Sequence, residues 1–319
     1  MGGGLVLYKS IVMDSSRWEG FVFRDDDVII STPAKCGTTW MQMIMAMLVF
    51  QDPALPRSLA EISPWLEMLT SSRDEVVALL EAQDHRRFIK SHTPLDGLPF
   101  DERVTYVCVG RDPRDVAFSW DNHMANMNLE NFLNARAAAV GLDDLAELGP
   151  IPTPAEDPIG RFWQWVDDVA ESTTLIASLQ STILHLASFW AERDRPNIVL
   201  VHYSDLLRDL EGEMRRLAGR LGIDVPEERW PVLVDAARFE QMKARADLVV
   251  PDSTHAIWQD NTQFFDKGGC RWRGVLSDDD LARYEARVAR LDAPADLIAW
   301  AHEGRTAVAP TGSRNAQVS

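Results

Sequence analysis

Cysteine is scarce: three in 319 residues, at Cys36, Cys108 and Cys270. So small and odd a number cannot form a full disulfide framework, and it suits a reducing compartment. Long apolar runs are lacking too. The longest, about ten residues from Met41 to Phe50, falls short of the ~18 that a membrane span needs. The amino terminus MGGGLVLYKSIV shows no basic region followed by an apolar stretch, and Val6 stands where a myristoylation signal wants Ser or Thr. These lacks predict a cytoplasmic protein with no membrane span. Positive charge is also short, with 32 Lys and Arg against 49 Asp and Glu, a balance of −17. Such a field repels polyanions and argues against nucleic acid or an anionic membrane as the main partner. An anionic small ligand would need its own positive pocket. Only five basic residues are lysines, Lys9, Lys35, Lys90, Lys243 and Lys267, so each merits a separate look. No internal repeat and no Pro/Ser-rich seam divides the chain. We expect one domain over residues 1–304 and a disordered tail over 305–319.

What is present is an ordinary globular composition, 46% hydrophobic with 11 Trp, enough to bury a large core. Short β-branched apolar runs alternate with longer helical patterns, the signature of a central parallel sheet flanked by helices, an α/β fold. Strands are expected at Val28 to Ser31, Arg87 to Ser91, Val104 to Val109 and Asn197 to Val201. Helices are expected at Thr38 to Phe50, Asp115 to Met127, Ile159 to Val169, Leu179 to Arg193 and Leu206 to Leu221. Between Asn128 and Pro158 the chain turns Ala-, Gly- and Pro-rich, as an inserted flap would.

The first strand runs into Thr32-Pro33-Ala34-Lys35-Cys36-Gly37-Thr38-Thr39-Trp40. Free amides at a helix start, two hydroxyls and a lysine make a site for a phosphate or sulfate group. The Walker A pattern G-x-x-x-x-G-K-[ST] is not met, because the first Gly is absent and Lys35 precedes Gly37 by two. The plainer alternative is a capped, buried helix, with Trp40 in the core rather than under a purine base. In the second strand Lys90 and His92 share a face at its carboxyl end, where open α/β sheets place ligands. His92 is either structural or a base that takes a hydroxyl proton. After the third strand comes Arg111-Asp112-Pro113-Arg114-Asp115, with Ser119 eight residues after Arg111. Arg111 can fork onto a phosphate with the Ser119 hydroxyl beside it, or sit in a salt-bridged turn. Cys108 and Arg114 also match C-x5-R, a cysteine phosphatase spacing. With three Cys and many Arg one chance match is unsurprising, and Asp112 and Asp115 would oppose a thiolate.

Taken together and in order, these segments resemble the cytosolic-type sulfotransferases that use 3'-phosphoadenosine 5'-phosphosulfate (PAPS), in a bacterial-like member. The resemblance rests on the Thr32 to Trp40 loop, Lys90-Ser91-His92-Thr93-Pro94-Leu95, the Arg111 to Ser119 segment, Val199 to Asp205, and Phe264-Phe265-Asp266-Lys267-Gly268-Gly269-Cys270-Arg271-Trp272-Arg273. It spans about Val28 to Arg273 and implies a P-loop-like sulfotransferase fold and sulfuryl transfer to a hydroxyl, while the Met-, Trp- and Leu-bearing stretch from His123 to Trp165 suggests a small apolar acceptor. It also implies roles. Lys35 would meet the bridging oxygen and 5'-phosphate, Gly37 to Thr39 the 5'-phosphosulfate with Cys36 in the same cofactor-binding loop, and Trp40 and Tyr203 the adenine. Arg111, Ser119, Lys267 and Gly268 would hold the 3'-phosphate. His92 would be the base, Lys90 would support the transferring group and Ser119 would tune Lys35, with no metal required. The sequence departs from the family at Asp266, where Arg is usual, at Cys36 for a small Ser, and at Ala237 for Thr. No dimerisation motif is recognisable in Gly274 to Asp280. Two rival functions are a Mg-dependent P-loop kinase or ATPase, with Asp205 as its metal carboxylate, and a nucleotide-binding protein without turnover.

Overall fold

The computed structural model describes residues 4–146, 153–169, 177–251, 255–265 and 269–307. Four short strands, β1 (Val28–Ser31), β2 (Phe88–Ser91), β3 (Thr105–Gly110) and β4 (Ile198–His202), pair in the order β2-β1-β3-β4. Every pairing is parallel, with Ile30 opposite Lys90 and Val107, and Gly110 opposite His202. All four strands therefore open onto one carboxyl edge, the expected α/β arrangement.

The strands are buried on both faces nearly throughout, and apolar except at their ends, where Ser31, Lys90, Ser91, Thr105 and His202 stand. Val28, Ile30, Phe88, Val107 and Val201 point into one core layer, while Ile29, Ile89, Tyr106, Cys108 and Ile198 point into the other. Such alternation is the pleat of a strand read out in packing. At about 1.5–3 kcal/mol for each fully buried large side chain, these positions anchor the sheet. The first layer is filled by α1 (Thr38–Phe50), with α2 (Leu59–Ile62) beside it, and α3 (Arg73–Glu81) leads into β2. Helix α1 is buried from Trp40 to Leu48, which is why its sequence shows almost no polar face. Its buried Gln42 donates to the Ser63 carbonyl at 2.9 Å and the Ser63 hydroxyl at 3.0 Å.

The opposite layer holds α4 (Pro113–Asn126), α6 (Pro158–Asp167) and α7 (Leu179–Trp190), closed by α13 (Asp278–Val288) and α14 (Ala295–Glu303). After β4 come α8 (Tyr203–Arg208), α9 (Leu210–Leu221), α10 (Trp230–Ala236), α11 (Phe239–Ala244) and α12 (Ala246–Val249). The single helix expected from Leu206 to Leu221 is two. Asp209 leaves helical geometry (φ −149°, ψ 79°) and accepts from the Gly212 amide at 2.8 Å. A local carboxylate-to-amide bond of this kind begins a new helix in competition with continuing the old one.

The expected flap also begins as something else. Leu129–Val140 forms helix α5, capped by Asn128 and burying Phe132, Ala135 and Arg136. Arg136 donates to the Ile11 carbonyl at 3.1 Å and pairs with Asp144 at 2.7 Å, so this helix is tied to the amino-terminal segment. The six residues 147–152, and 170–176 after α6, lie outside the described residues. So do 308–319 of the expected tail, whereas Arg305 is held by Asp205 at 3.3 Å.

At the amino edge of the sheet Asp27 and Arg87 are both buried. The Arg87 Nε donates to Asp27 Oδ1 at 2.8 Å, and its Nη2 reaches Oδ2 and the Val22 carbonyl. This pair clamps the starts of β1 and β2.

Candidate functional site

The loop after β1 bends sharply, with Lys35 (φ 66°) and Gly37 (φ 109°) both in the left-handed region. A non-glycine residue held there costs about 1 kcal/mol or more. Gly37 is required twice over, since a Cβ would also lie 3.0 Å from the Tyr203 ring. Gly37 caps α1 with no side-chain acceptor on its first turn. The helix thus presents free amides and its positive dipole end to whatever enters the loop. Arg111 braces the loop from β3. Its Nη1 donates to the Lys35 carbonyl at 2.9 Å, and its guanidinium lies 4.3 Å over the Tyr203 ring. Trp40 meets Tyr203 edge to face at 5.0 Å, and its indole N–H donates to the Ala237 carbonyl at 2.8 Å. The backbone of Ala237 fixes that ring, whatever side chain stands there.

At the end of β2, Trp65 touches both Lys90 and His92: the Lys90 ammonium is 4.2 Å over its ring and His92 meets it edge to face at 4.8 Å. His92 Nδ1 is 2.7 Å from the Thr32 carbonyl. A carbonyl only accepts, so Nδ1 carries the proton and Nε2 keeps its lone pair. Burial, then the neighbouring Lys90, hold the His92 pKa well below the usual imidazole range. The ring is therefore neutral and able to accept a proton. Its flanks are pinned, because Ser91 and Thr93 both donate to Oε1 of buried Glu67. Behind it, His185 is buried with Nε2 3.2 Å from the Ser31 hydroxyl, and burial pushes its pKa down to about 3.

Helix α4 starts at Pro113 under an Asp112 cap. Asp112 pairs with Arg114, which stacks 3.8 Å over Trp272. Asp115 accepts from the amides of Cys270 and Arg271, each at 2.8 Å. Further along the same helix come Ser119 and, one turn later, His123. The Lys35 ammonium lies 3.3 Å from His123 Nδ1 and 4.4 Å over the Phe264 ring. The carboxyl end of α4 holds the far wall: Asn126 Nδ2 donates to the Asp260 carbonyl at 2.9 Å and the Asn128 amide to that of Ile257 at 2.8 Å.

Lys35, Gly37, Thr38, Thr39, Trp40, Lys90, His92, Arg111, Ser119 and Tyr203 line one open-mouthed cavity of about 220 Å³. Its remaining wall is apolar and aromatic, with Trp120, Phe132, Phe239, Met242, Trp258 and Phe264 among its members. The Cys36 side chain lies elsewhere, buried with Ile29 and Cys108 in the opposite core layer, its thiol pushed up to about 12 by burial. Lys267 and Gly268, and Asp266 before them, lie outside the described residues. His123 enters the sequence analysis only as the start of an apolar stretch, and Trp65 not at all. Four-residue spacing from Ser119 on one helix points to His123, whereas Trp65 reaches the site through tertiary packing, with no local signal. Two rival chemistries lose their residues. Cys108 is held as a thiol well above its ordinary pKa, first by burial rather than by the nearby acids. Asp205, the metal carboxylate of a kinase reading, is occupied by Arg208 at 2.8 Å and by Arg305.

Comparison with known proteins agrees with this geometry. The sulfotransferase domain family matches residues 25–289. Glycolipid sulfotransferases of Mycobacterium bovis and Mycobacterium tuberculosis are each 41% identical to the chain, over 96% of it and 96% of their own length. Among solved structures, a retinol dehydratase in complex with androsterone and the inactive cofactor PAP has TM-score 0.65 at 20% identity, covering 88% of both chains. A mouse sulfotransferase complexed with PAP has TM-score 0.63 at 16% identity, covering 88% of this chain and 92% of its own. At those identities the likeness is one of fold.

Proposed function

Since the chain belongs to the sulfotransferase family and is an enzyme of sulfuryl transfer, we propose that its donor is PAPS and its acceptor a hydroxyl on an apolar or amphiphilic molecule. The observation that carries this reading is the single cavity in which an uncapped helix start, Lys35, Lys90, Arg111 and His92 face an aromatic wall. A doubly phosphorylated adenosine suits the first half. The α1 amides and Lys35 take the 5' end, Arg111 and Ser119 the 3'-phosphate, and Trp40 and Tyr203 offer ring surface to the base. Lys267 and Gly268 complete the 3'-phosphate grip in this reading.

The transfer is an in-line displacement at sulfur. The acceptor oxygen attacks the sulfuryl group, its proton passes to Nε2 of His92, and the bond from sulfur to the bridging oxygen breaks with the electron pair leaving on that oxygen. Lys35 neutralises the charge that develops there and Lys90 supports the transferring group. Donor binding also alters the base. Lys90 and Lys35 are among the causes that depress His92, so anionic groups placed against them raise its basicity once the complex has formed.

The acceptor half is apolar along Phe132, Phe239, Met242 and Phe264, which suits a hydrophobic body with its hydroxyl presented at His92. The names of the 41% identical mycobacterial relatives support glycolipids as the first class to try. Thermal shift decides the donor. Adenosine 3',5'-bisphosphate is expected to stabilise the protein and ATP with Mg to leave it unchanged, and the reverse result would refute the reading.

A further inference from the structure

His123 is among the least polar-looking places for a histidine in this molecule. Its ring stacks on Trp120 at 5.4 Å, tilts against Trp258 at 4.7 Å and meets Phe264 edge to face at 6.0 Å. Packing alone would be served by phenylalanine. Yet Nδ1 of this ring lies 3.3 Å from the Lys35 ammonium. An ammonium only donates, so Nδ1 must hold a lone pair and the ring proton must sit on Nε2. Burial, and after it Lys35, keep the pKa of His123 well below the usual range, consistent with a neutral acceptor. The lysine is thereby held between a lone pair on one side and the Phe264 face on the other.

The position of the ring matters as much as its chemistry. His123 lines the cavity with the aromatic wall, while Lys35 belongs to the loop that faces the donor. We propose that His123 is a positioning residue for Lys35, accepting the ammonium in the donor-free enzyme and holding it at the boundary between the donor loop and the acceptor wall. An acceptor seated against Trp120 and Trp258 presses on the ring that holds the lysine, which links acceptor arrival to placement of the cation on the leaving oxygen. This role rests on the sulfuryl-transfer reading above, and its test begins without any nucleotide.

With only five lysines in the chain, a protein carrying 13C at lysine Cε gives a spectrum in which Lys35 is assigned by its loss in Lys35→Arg. In the ligand-free protein, His123→Phe is expected to move the Lys35 signal and His123→Asn, whose amide oxygen replaces the Nδ1 lone pair, to leave it near the wild-type position. With PAPS as donor and octyl glucoside as acceptor, His123→Phe should lower kcat roughly 10-fold or more, the range for losing a hydrogen bond to a charged group. Its affinity for adenosine 3',5'-bisphosphate should stay at the wild-type value, and His123→Asn should recover most of the rate. A packing role predicts the opposite order, with Phe close to wild type and Asn the worse. That order, or an unmoved Lys35 signal in His123→Phe, overturns the proposal. Should the wild type neither bind the bisphosphate nor use octyl glucoside, the donor or acceptor assignment fails, and the ligand-free lysine signal decides this inference alone.

Discussion

At the amino ends of β1 and β2, Asp27 and Arg87 bury opposite charges against each other; at the carboxyl ends of the same strands, Lys90 and the Lys35 loop gather beside His92 and His123. The named contacts of those two lysines are with the Trp65 and Phe264 faces and the His123 lone pair. Charge paired within the fold serves stability. Like charge gathered around buried imidazoles works against it, and an anion bound there would offset part of that cost. On the function proposed above, the strands carry a structural edge and a reactive edge a few residues apart, and substitutions at the two edges should separate stability from turnover.

The sharpest separation is expected at His92. His92→Ala should lower transfer by roughly 10²- to 10⁴-fold, the usual worth of a general base, while stabilisation by adenosine 3',5'-bisphosphate stays at the wild-type value and the urea midpoint falls less than in Asp27→Ala. Equal activity of this variant would break the reactive side of the comparison. Asp27→Ala should do the converse. It strands a buried guanidinium and costs about 3–5 kcal/mol in urea unfolding, with kcat per folded molecule unchanged; a stability loss below about 1 kcal/mol would remove the contrast.

Asp115 tests a subtler point, since a carboxylate can also serve the reactive edge without touching a reactant. Asp115→Ala frees two amides just beyond residue 268 and should weaken binding of the bisphosphate about 10-fold or more. Calorimetric titration with kcat measured at saturating donor would read it, and unchanged affinity in a folded variant would count against the loop's role.

The smallest effect is a flat line. Because His92 in the free enzyme titrates well below its ordinary range, kcat/KM should stay level between about pH 6.5 and 8, and a limb centred near 6.5 would show an ordinary imidazole. Stability follows the same sign. His92, His123 and His185 have folded pKa values below their unfolded ones. Their contribution is therefore complete above about pH 6.5 and is lost as pH falls toward the folded values, because the unfolded chain takes up protons first.

The convergence of Lys35, Lys90, His92 and Arg111 on one cavity was readable because its signals are local. Strand, bend and helix start follow one another from Val28 to Trp40, and Lys90 and His92 sit two apart on one strand, so spacing alone puts them on a common face. The parallel sheet was readable for the same reason, since Val28–Ser31 and Thr105–Gly110 are apolar on both faces. Cys36 shows where that logic stops. In a tight bend some side chain must turn to the core, and sequence does not say which. Leu129–Val140 was hidden by its Ala-rich composition, although Asn128 and the buried Arg136 make it a proper helix. Trp65 and Trp258 reach the cavity from segments outside every motif, far apart in sequence, whereas Phe264 opens the last of the motifs.

Helix α4 has a consequence for how the enzyme diversifies. Its first turn anchors the segment at Cys270 and Arg271, its middle carries Ser119 and His123, and its end fastens residues 257–260. One rod therefore sets the gauge between the nucleotide clasp and the client's berth. On the function proposed above, exchanging Phe239 or Met242 would retune which clients dock while leaving the clasp in register, whereas shortening or rotating the rod would misalign both at once. Selection can revise the clientele of this scaffold cheaply by leaving Pro113–Asn126 alone.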